Sequence, residues 1–544
     1  MAFRILRNLL KGRTARPSAP LGPDGEDALL QAAVAHHQAG RLGEAELAYQ
    51  TILRDAPQHP LALHYLGLIA MRRDDFDLAQ ELIAESLAAN PADVRARQSM
   101  GQVLRALGRI DEEIELYRAT LAIAPESASI HSALCLASCF SARHDAQAVF
   151  AEHCAWARRF APPTATSAYG NAAEPQRRLR LGYVAFDFGN AINGCYLEEV
   201  FRHHDRNAYE LFLYQNGKRQ GPWSERLRRQ AEHWREIREL DDAAAAAAIR
   251  ADGIDVLVDL SGHLGDNRLL TFARKPAPVQ VSWLSYPAST GLAAIDYRLT
   301  DPYCDPPGLT EQLYTEKLYR LPHTYWCYRP AIAYPVAPLP ALENGWITFG
   351  SFNAYAKINE PVIELWARLL SGLPQARLFI MTVPRGSATA ALRERFQRRG
   401  IAPERLDIAA GVSPDRFHEM FARADIALDP FPYNGATTTL DSLWNGVPVV
   451  TLAGASCVSR AGVSMLSNAG LAELIARDED DYLAIAQRLA QDPGALQALR
   501  SGLRARLQAS PIMDAAGFTA DLEAAYRQMW RRWCADEAPA ALTL

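Results

Sequence analysis

The sequence lacks several features that would indicate common classes of protein. No run of about 18 apolar residues offers a membrane span. No two of the eight cysteines form a CxxC pair, and the closest spacing, Cys135 to Cys139, fits neither a zinc ribbon nor a redox motif. The formal net charge of -5 provides no general attraction for nucleic acid. We therefore expect a cytoplasmic protein with reduced thiols, no metal and no nucleic-acid partner.

The length and composition of the chain predict several packed domains. The 544 residues are too many for one hydrophobic core, and hydrophobic and charged residues make up 49% and 22% of them. A basic leader is predicted at 1–26, where the first part carries Arg4, Arg7, Lys11, Arg13 and Arg16 and no acid. Its apolar stretch is too short for a signal peptide, and contact with a membrane surface is an alternative role.

A repeat of 34 residues follows over 27–161. Pro57, Pro91 and Pro125 recur at this interval, and three other sets do the same: Ala33, Gly67 and Gly101; Gly40, Asp74 and Gly108; Leu53, Leu87 and Leu121. Small residues let paired helices approach closely, and proline ends each second helix. Three repeats are clear, and a degenerate fourth helix pair is predicted over 130–160. Glu113 stands where Ala45 and Ala79 fill a small position, so one packing contact should be weaker.

These repeats resemble the tetratricopeptide repeat. Stacked helix pairs form a curved solenoid whose concave face suits an extended peptide or a partner helix. The array is therefore predicted to bind a protein. The alternative is that it pairs two copies of the chain as a homodimer or anchors the chain in an assembly.

Beyond a linker at 162–178, short apolar runs alternate with helical stretches, which is typical of parallel α/β units. A first lobe is predicted over 179–335, a second over 343–511, and a helix that packs back on the lobes over 512–535. The predicted strands are 181–186, 210–214, 255–260 and 279–284 in the first lobe and 347–352, 377–381, 406–409, 426–428 and 447–452 in the second. Two open parallel sheets that face each other leave a crevice at the carboxyl ends of their strands, where ligands bind.

The most specific motif reads DPFPYNGATTTLD over 429–441. A strand ends before it, Asn434 and Gly435 form a turn, and a helix is predicted to begin near Thr437. Free backbone N–H groups and hydroxyls at a helix start suit a diphosphate, and Asp441 is placed to reach a ribose hydroxyl. The alternative is that Thr437 only caps the helix.

Lys357 favours the diphosphate interpretation. It ends the segment FGSFNAYAK at 349–357, directly after the first strand of the second lobe. Its ammonium could neutralise charge that grows on a leaving nucleotide. An ordinary surface lysine is the alternative.

With these segments, the chain from about 180 to 533 resembles the O-GlcNAc transferase and SPINDLY family of glycosyltransferases, on its SPINDLY-like bacterial side. The resemblance is carried by DVLVDLSGH at 255–263, RKPAPVQ at 274–280, WLSYP at 283–287, the Lys357 segment, and PYNGATTT at 432–439. It implies a GT-B fold, no metal requirement, and inverting transfer of a sugar from a nucleoside diphosphate to Ser or Thr hydroxyls of proteins. The donor contacts implied are Ser285, Tyr286, Pro287, Asn353, Lys357, Phe417, Asn434, Gly435, Thr437, Thr438 and Asp441.

The sequence also departs from the family. The histidine that the family usually has after the first strand is missing, because DFGNA stands at 187–191. Ala354, Phe417 and Cys457 replace other common polar residues, although Phe417 could stack on a nucleobase. Asp187 and His263 are the remaining candidates for a general base, since both are predicted at strand ends. His263 could equally be a structural group.

Three functions stay open at this point. The resemblance makes UDP-GlcNAc the default donor for modification of proteins that the repeats present. A second interpretation keeps the fold and changes the donor to GDP-fucose or another activated sugar, as in flagellin glycosylation. A third is a catalytically silent scaffold in which the repeats bind a partner.

Overall fold

The computed structural model describes residues 23–162, 169–218, 221–330, 332, 334–410 and 414–544. Most of the predicted basic leader, and residues 163–168 of the predicted linker, lie outside this part of the chain. Among the helices that are described, none combines the length and the apolar character needed to cross a membrane.

The repeat region forms eight helices, each packed on the next along the chain. They are α1 (Pro23–Gln38), α2 (Leu42–Asp55), α3 (Pro60–Arg72), α4 (Phe76–Ala89), α5 (Val94–Ala106), α6 (Ile110–Ile123), α7 (Ala128–Phe140) and α8 (Ala146–Phe160). The degenerate fourth pair predicted from the sequence corresponds to α7 and α8. The predicted helical-repeat array is thus confirmed.

The recurring small residues have physical reasons. Gly40, Asp74 and Gly108 turn the chain between paired helices with φ angles of 75°, 58° and 72°, a left-handed conformation that glycine adopts at least cost. At Gly67 a Cβ atom would lie 2.6 Å from Ile83, and at Gly101 it would lie 2.3 Å from Tyr117. Any larger residue there would push the helices apart.

Glu113 does more than weaken a packing contact. Its side chain is fully buried and forms an ion pair with Arg105 of the preceding helix. Burial raises the pKa of this carboxyl, and the Arg105 guanidinium opposes that shift. The third repeat therefore replaces a small apolar contact with a buried ion pair.

The first lobe is a parallel sheet with helices packed on it. Its strands are β1 (Leu179–Ala185), β2 (Tyr209–Gln215), β3 (His233–Glu236), β4 (Val256–Asp259), β5 (Val279–Ser282), β6 (Tyr297–Thr300) and β7 (Lys317–Arg320), and β14 (Leu542–Thr543) joins them from the far end of the described chain. The helices are α9 (Ala191–His203), α10 (Pro222–Arg228), α11 (Asp242–Ala251) and α12 (Leu269–Phe272). The strand order is β14-β7-β6-β5-β4-β1-β2-β3, and every pair is parallel.

The second lobe repeats this design. Its strands are β8 (Thr348–Ser351), β9 (Arg377–Met381), β10 (Leu406–Ala409), β11 (Ile426–Leu428), β12 (Val449–Leu452) and β13 (Ile475–Ala476). Its helices are α13 (Pro340–Asn344), α14 (Glu360–Gly372), α15 (Ser387–Gln397), α16 (Thr437–Trp444), α17 (Ala461–Asn468), α18 (Glu479–Gln491) and α19 (Pro493–Gln508). The strand order is β10-β9-β8-β11-β12-β13, again parallel throughout. Two parallel α/β lobes after a helical array confirm the predicted fold class.

The chain then returns to the first lobe through α20 (Ala515–Cys534). Tyr526 of this helix lies 3.4 Å from the Tyr183 hydroxyl, and Glu523 bonds His204 at 2.9 Å. The repeats also pack against both lobes, because Ser132 of α7 contacts the first lobe and Phe140 of α7 stacks on Tyr433 of the second. Helix α7 therefore forms part of the wall between the lobes.

Candidate active site

The two sequence segments predicted to bind a diphosphate meet in the second lobe. The Nζ atom of Lys357 donates to the carbonyl oxygen of Asn434 at 2.8 Å and to Oδ1 of Asn353 at 3.3 Å. The same Oδ1 accepts from the Thr438 hydroxyl at 3.0 Å. Asn353 thus links the lysine to the start of α16.

A buried carboxylate holds the turn before α16 in place through hydrogen bonds. Asp429, directly after β11, accepts from the Gly435 N–H at 2.7 Å and from the Thr451 hydroxyl at 2.7 Å. A Cβ at Gly435 would lie 2.7 Å from the Thr438 hydroxyl and 3.0 Å from Asn353 Oδ1. Only glycine lets these groups come together.

Helix α16 begins at Thr437, where the sequence predicted its start, and no side chain caps it. The preceding residue is Ala436, which has no group to occupy the first N–H donors. The Thr437 hydroxyl instead lies 3.0 Å from the hydroxyl of Tyr196, a first-lobe residue. Asp441, one turn on, accepts from the Tyr328 hydroxyl at 2.5 Å. The capping interpretation of Thr437 is therefore wrong for its side chain.

Opposite charges are held close together in this cluster. Burial lowers the pKa of Lys357 from its usual 10.5 to about 8, while the nearby Asp429 opposes the shift. Burial raises the pKa of Asp429 to about 6, against the effect of its hydrogen bonds and of Lys357. The Lys357 ammonium also lies 4.4 Å from the centre of the Tyr433 ring. At pH 7 the site keeps one cation whose solvation is incomplete.

The loop of the first lobe that carries the predicted donor contacts Ser285, Tyr286 and Pro287 follows a strained residue. Leu284 has a φ angle of 78°, which is rare for a side chain of its size. The Ser285 hydroxyl then donates to Asn193 at 3.4 Å, and Asn193 donates to the carbonyl of Asp187 at 2.7 Å. Asp187 is 7% exposed, and its carboxylate accepts from the Gly189 N–H at 2.8 Å. The loop and Asp187 are therefore parts of one hydrogen-bonded unit.

The side chains of Tyr286, within this loop, and of His263 pack against the repeats. The Tyr286 hydroxyl bonds Nε2 of His153 in α8 at 2.6 Å. His263 is 1% exposed, with Nδ1 at 3.1 Å from the Ser132 hydroxyl and Nε2 at 2.9 Å from the carbonyl of Thr290. A carbonyl only accepts, so Nε2 carries the proton and the Nδ1 lone pair accepts from Ser132. Both ring nitrogens are occupied, and burial lowers the pKa of His263 well below its usual value.

Ligand atoms of Cys135, His153 and His263 lie within 4.8 Å of one another, which is close enough to share a metal ion. Each imidazole nitrogen already bonds a protein group, since His153 also places Nδ1 at 2.6 Å from the carbonyl of Val149. Burial raises the pKa of the Cys135 thiol well above its usual range. Protein hydrogen bonds therefore account for the positions of both imidazoles.

Phe417 belongs to a row of aromatic rings that leads to the lysine. Its ring packs edge-on against Phe421 at 5.5 Å, and Phe421 lies 4.2 Å from Phe352. Phe352 directly precedes Asn353, which bonds Lys357. Phe417 is half-buried, so part of this residue is accessible to solvent.

A cavity of about 300 Å³ lies where the repeats and both lobes meet, and we call it the junction cavity. Pro287 of the first lobe and Phe431, Pro432 and Val458 of the second form part of its wall. Helices α7 and α8 and the turn between them form another part of the wall through residues between Ser138 and Phe150. The cavity is therefore lined by residues of all three regions.

Three contact residues were not recognised from the sequence. Asp429 could have been, because it directly follows a predicted strand at the carboxyl edge of the sheet. Tyr196 and Tyr328 carry no local signal. They lie 241 and 113 residues along the chain from the groups that they bond.

Comparisons with known proteins show which families the chain is similar to. The family model described as glycosyl transferase family 41 matches residues 140–331 and 339–522, and a tetratricopeptide repeat model matches 4–60 and 66–128. A tomato (Solanum lycopersicum) protein named "Probable UDP-N-acetylglucosamine--peptide N-acetylglucosaminyltransferase SPINDLY" is 39% identical over 72% of this chain and 43% of its own length. The protein of the same name from Arabidopsis thaliana is 38% identical over 72% of this chain and 44% of its own length. The chain thus spans less than half the length of these relatives.

A solved structure covers nearly the whole chain. It is a mutant of the O-GlcNAc transferase of Thermobaculum terrenum, with a TM-score of 0.88 and 39% sequence identity. The match covers 94% of this chain and 98% of that one. Repeats and lobes are therefore arranged alike in the two proteins.

Proposed function

Because the chain belongs to glycosyl transferase family 41, we propose that it transfers a sugar from a nucleoside diphosphate to Ser or Thr hydroxyls of proteins. UDP-GlcNAc is the proposed donor, since the curated relatives and the matching structure carry names that specify N-acetylglucosamine. The acceptor is proposed to be a protein held by the repeats.

The convergence of Lys357 with the start of α16, which we now call the donor helix, is the observation that carries this proposal. A diphosphate placed there would meet an ammonium, two threonine hydroxyls and uncapped backbone N–H groups. The buried Oδ1 of Asn434 makes no hydrogen bond with the described residues and could accept one from the bound donor. These groups match the charge and the bonding capacity of a nucleoside diphosphate sugar.

The proposed reaction is a single inverting displacement. A hydroxyl oxygen of the acceptor attacks the anomeric carbon, the bond from that carbon to the diphosphate breaks, and the electron pair leaves with the nucleoside diphosphate. Lys357 neutralises the charge that grows on this leaving group, so no metal is required for that step. The hydroxyl proton passes to a base.

Asp187 is the better placed of the two base candidates. The hydrogen bonds from Ser285 through Asn193 tie its backbone to the loop proposed to approach the sugar. The ring nitrogens of His263 are both engaged, so that residue would have to break a buried hydrogen bond before it could accept a proton.

The junction cavity supports acceptor delivery by the repeats. Helices α7 and α8 form one of its walls, and the loop at Pro287 forms another. A segment that leaves the repeat array at α7 would therefore enter beside the proposed donor site. A different donor remains the second candidate, because Phe417 offers an aromatic face without the polar group common in the family.

Calorimetric titration with UDP-GlcNAc, GDP-fucose and a CMP-sugar tests the donor. We expect UDP-GlcNAc to bind most tightly, and intact-mass spectra of co-expressed proteins to show one added N-acetylhexosamine per site. A deoxyhexose increment together with tighter binding of GDP-fucose would assign the donor to the GDP class. Binding without any increment in mass would instead support the silent scaffold.

A further inference from the structure

Two buried tyrosines contact the donor helix from the side of the first lobe. Tyr196 lies on α9 and Tyr328 on the segment that joins the lobes; they are 4% and 2% exposed, and their ring centres are 6.0 Å apart. Their hydroxyls reach Thr437 at 3.0 Å and Asp441 at 2.5 Å. Residues four apart share one face of a helix, so both contacts fall on the same face of the donor helix.

The direction of each hydrogen bond follows from chemistry. Burial raises the pKa of both tyrosines, so each hydroxyl keeps its proton. An ionised carboxylate only accepts, so Tyr328 donates to Oδ1 of Asp441 and leaves the second oxygen for a ribose hydroxyl. If Tyr196 likewise donates to Thr437, the threonine proton is left to donate to a phosphate oxygen. The reverse direction would use that proton within the protein.

We propose that Tyr196 and Tyr328 are positioning residues for the donor, which orient Thr437 toward a phosphate oxygen and Asp441 toward a ribose hydroxyl. The inference rests on the proposed donor site and extends it to two residues that contact donor-binding side chains of the protein but not the donor itself. It also means that the first lobe takes part in nucleotide binding by the second.

The backbone holds the two tyrosines in a common frame. The N–H of Tyr328 donates to the carbonyl of Ile512 at 2.8 Å, and the N–H of Arg329 donates to the carbonyl of Cys195 at 2.8 Å. Cys195 directly precedes Tyr196, so α9 and the joining segment are fastened to each other beside both hydroxyls. The orientation of Thr437 and Asp441 is therefore set by contacts outside their own lobe.

Ligand pairs that differ by one group test each tyrosine separately. Titration of the full chain with UDP, 2′-deoxy-UDP, 3′-deoxy-UDP and UMP gives one affinity ratio for a ribose hydroxyl and another for the terminal phosphate. The corresponding guanosine nucleotides replace this series if GDP binds more tightly than UDP. The variants are Tyr328→Phe and Tyr196→Phe. Tyr214→Phe is the matched control, because it removes a buried hydroxyl that bonds Asp252 at 2.8 Å, away from the donor helix.

In the wild type, UDP should bind about tenfold more tightly than the analogue that lacks the ribose hydroxyl bound by Asp441, and than UMP. Tyr328→Phe should reduce only the ribose ratio toward one, because Asp441 loses its orientation. Tyr196→Phe should reduce only the phosphate ratio. Tyr214→Phe should leave both unchanged, and melting curves confirm that each variant is folded.

The positioning role of each tyrosine can be contradicted separately. Tyrosine variants that lose affinity for every ligand by the same factor, or that keep both ratios, would overturn the positioning role while leaving the donor site intact. A wild-type protein that binds neither UDP nor GDP would remove the proposed function and this inference together. The two affinity ratios are independent. If one variant does not fold, the ratio measured with the other variant therefore still tests the role of the tyrosine replaced in it.

Discussion

Two buried polar clusters, one where the repeats meet the first lobe and one in the second lobe, border the junction of the three regions and differ in how their hydrogen bonds are used. The histidine cluster consists of Ser132, His153, His263, Tyr286 and Thr290, and the lysine cluster consists of Asn353, Lys357, Asp429, Asn434 and Thr438. Sequence reasoning placed a catalytic candidate in each. The structure distinguishes them by whether their polar groups all have hydrogen-bond partners among the described residues.

In the histidine cluster every ring nitrogen has a partner, and burial lowers the pKa of both imidazoles, that of His153 to about 4. Its groups are neutral and hold helices α7 and α8 against the first lobe. The lysine cluster instead confines a cation beside a carboxylate and leaves Asn434 Oδ1 without a hydrogen bond among the described residues. A bound ligand can supply the hydrogen bonds that such a charged cluster lacks.

The largest expected difference between the clusters follows from removing Lys357. Lys357→Ala should lower kcat about 10²–10³-fold, because the leaving diphosphate loses a preorganised charge. Turnover is measured by intact mass, and melting curves show that the fold survives. The control is Lys317→Ala, which removes an exposed lysine in β7 and should leave kcat unchanged. Equal rates for both variants would take Lys357 out of the mechanism.

The base candidates extend the comparison to the first lobe. Asp187→Asn should lower kcat about 10²-fold, the smaller end of the range for a general base. His263→Gln should keep the rate per folded molecule within about threefold, while the free energy of unfolding falls by about 1–3 kcal/mol through lost hydrogen bonds. Turnover and denaturant unfolding are measured on each protein. If His263→Gln loses turnover without losing stability, the histidine cluster is catalytic after all.

Periodicity made much of this architecture predictable from the sequence. The interval of 34 residues fixes the helix pairs because each repeat must supply the same small residues and turns, as Gly67 and Gly101 do. The rule that parallel strands end at a common edge located Lys357 and Thr437 in one place. Strands β3, β6, β7, β13 and β14 were missed, since each has at most four residues and the first three contain charged residues.

What the sequence could not supply is contact between distant segments. Nothing local to His263 indicates that Ser132, 131 residues earlier, would enclose it. The tyrosines on the donor helix were missed for the same reason. Burial by another region changes a strand-end histidine from a candidate base into a packed group, and only the three-dimensional arrangement reveals that.

The smallest expected effect is a pH dependence that should appear in the lysine cluster alone. In the unliganded protein the pKa of Lys357 is about 8, so affinity for UDP should change little between about pH 7 and 8 and fall by at most about tenfold per pH unit above that range, as the ammonium is lost. Stability should change in the opposite direction. The unfolded chain holds this proton up to the usual pKa of 10.5, so the contribution of Lys357 to the free energy of unfolding should rise between about pH 8 and 10.5.

Asp429→Asn sharpens this last test. The Asp429 carboxylate raises the pKa of Lys357, so its removal should move the decline in UDP affinity to lower pH, while the amide can still accept from Gly435. His263→Gln is the control and should leave the profile in place, because that imidazole is neutral throughout the range. Calorimetry between pH 6 and about 9.5 gives the midpoint for each protein. A midpoint that Asp429→Asn leaves unchanged would mean that the two charges are not coupled, and the contrast between the clusters would then rest on hydrogen bonding alone.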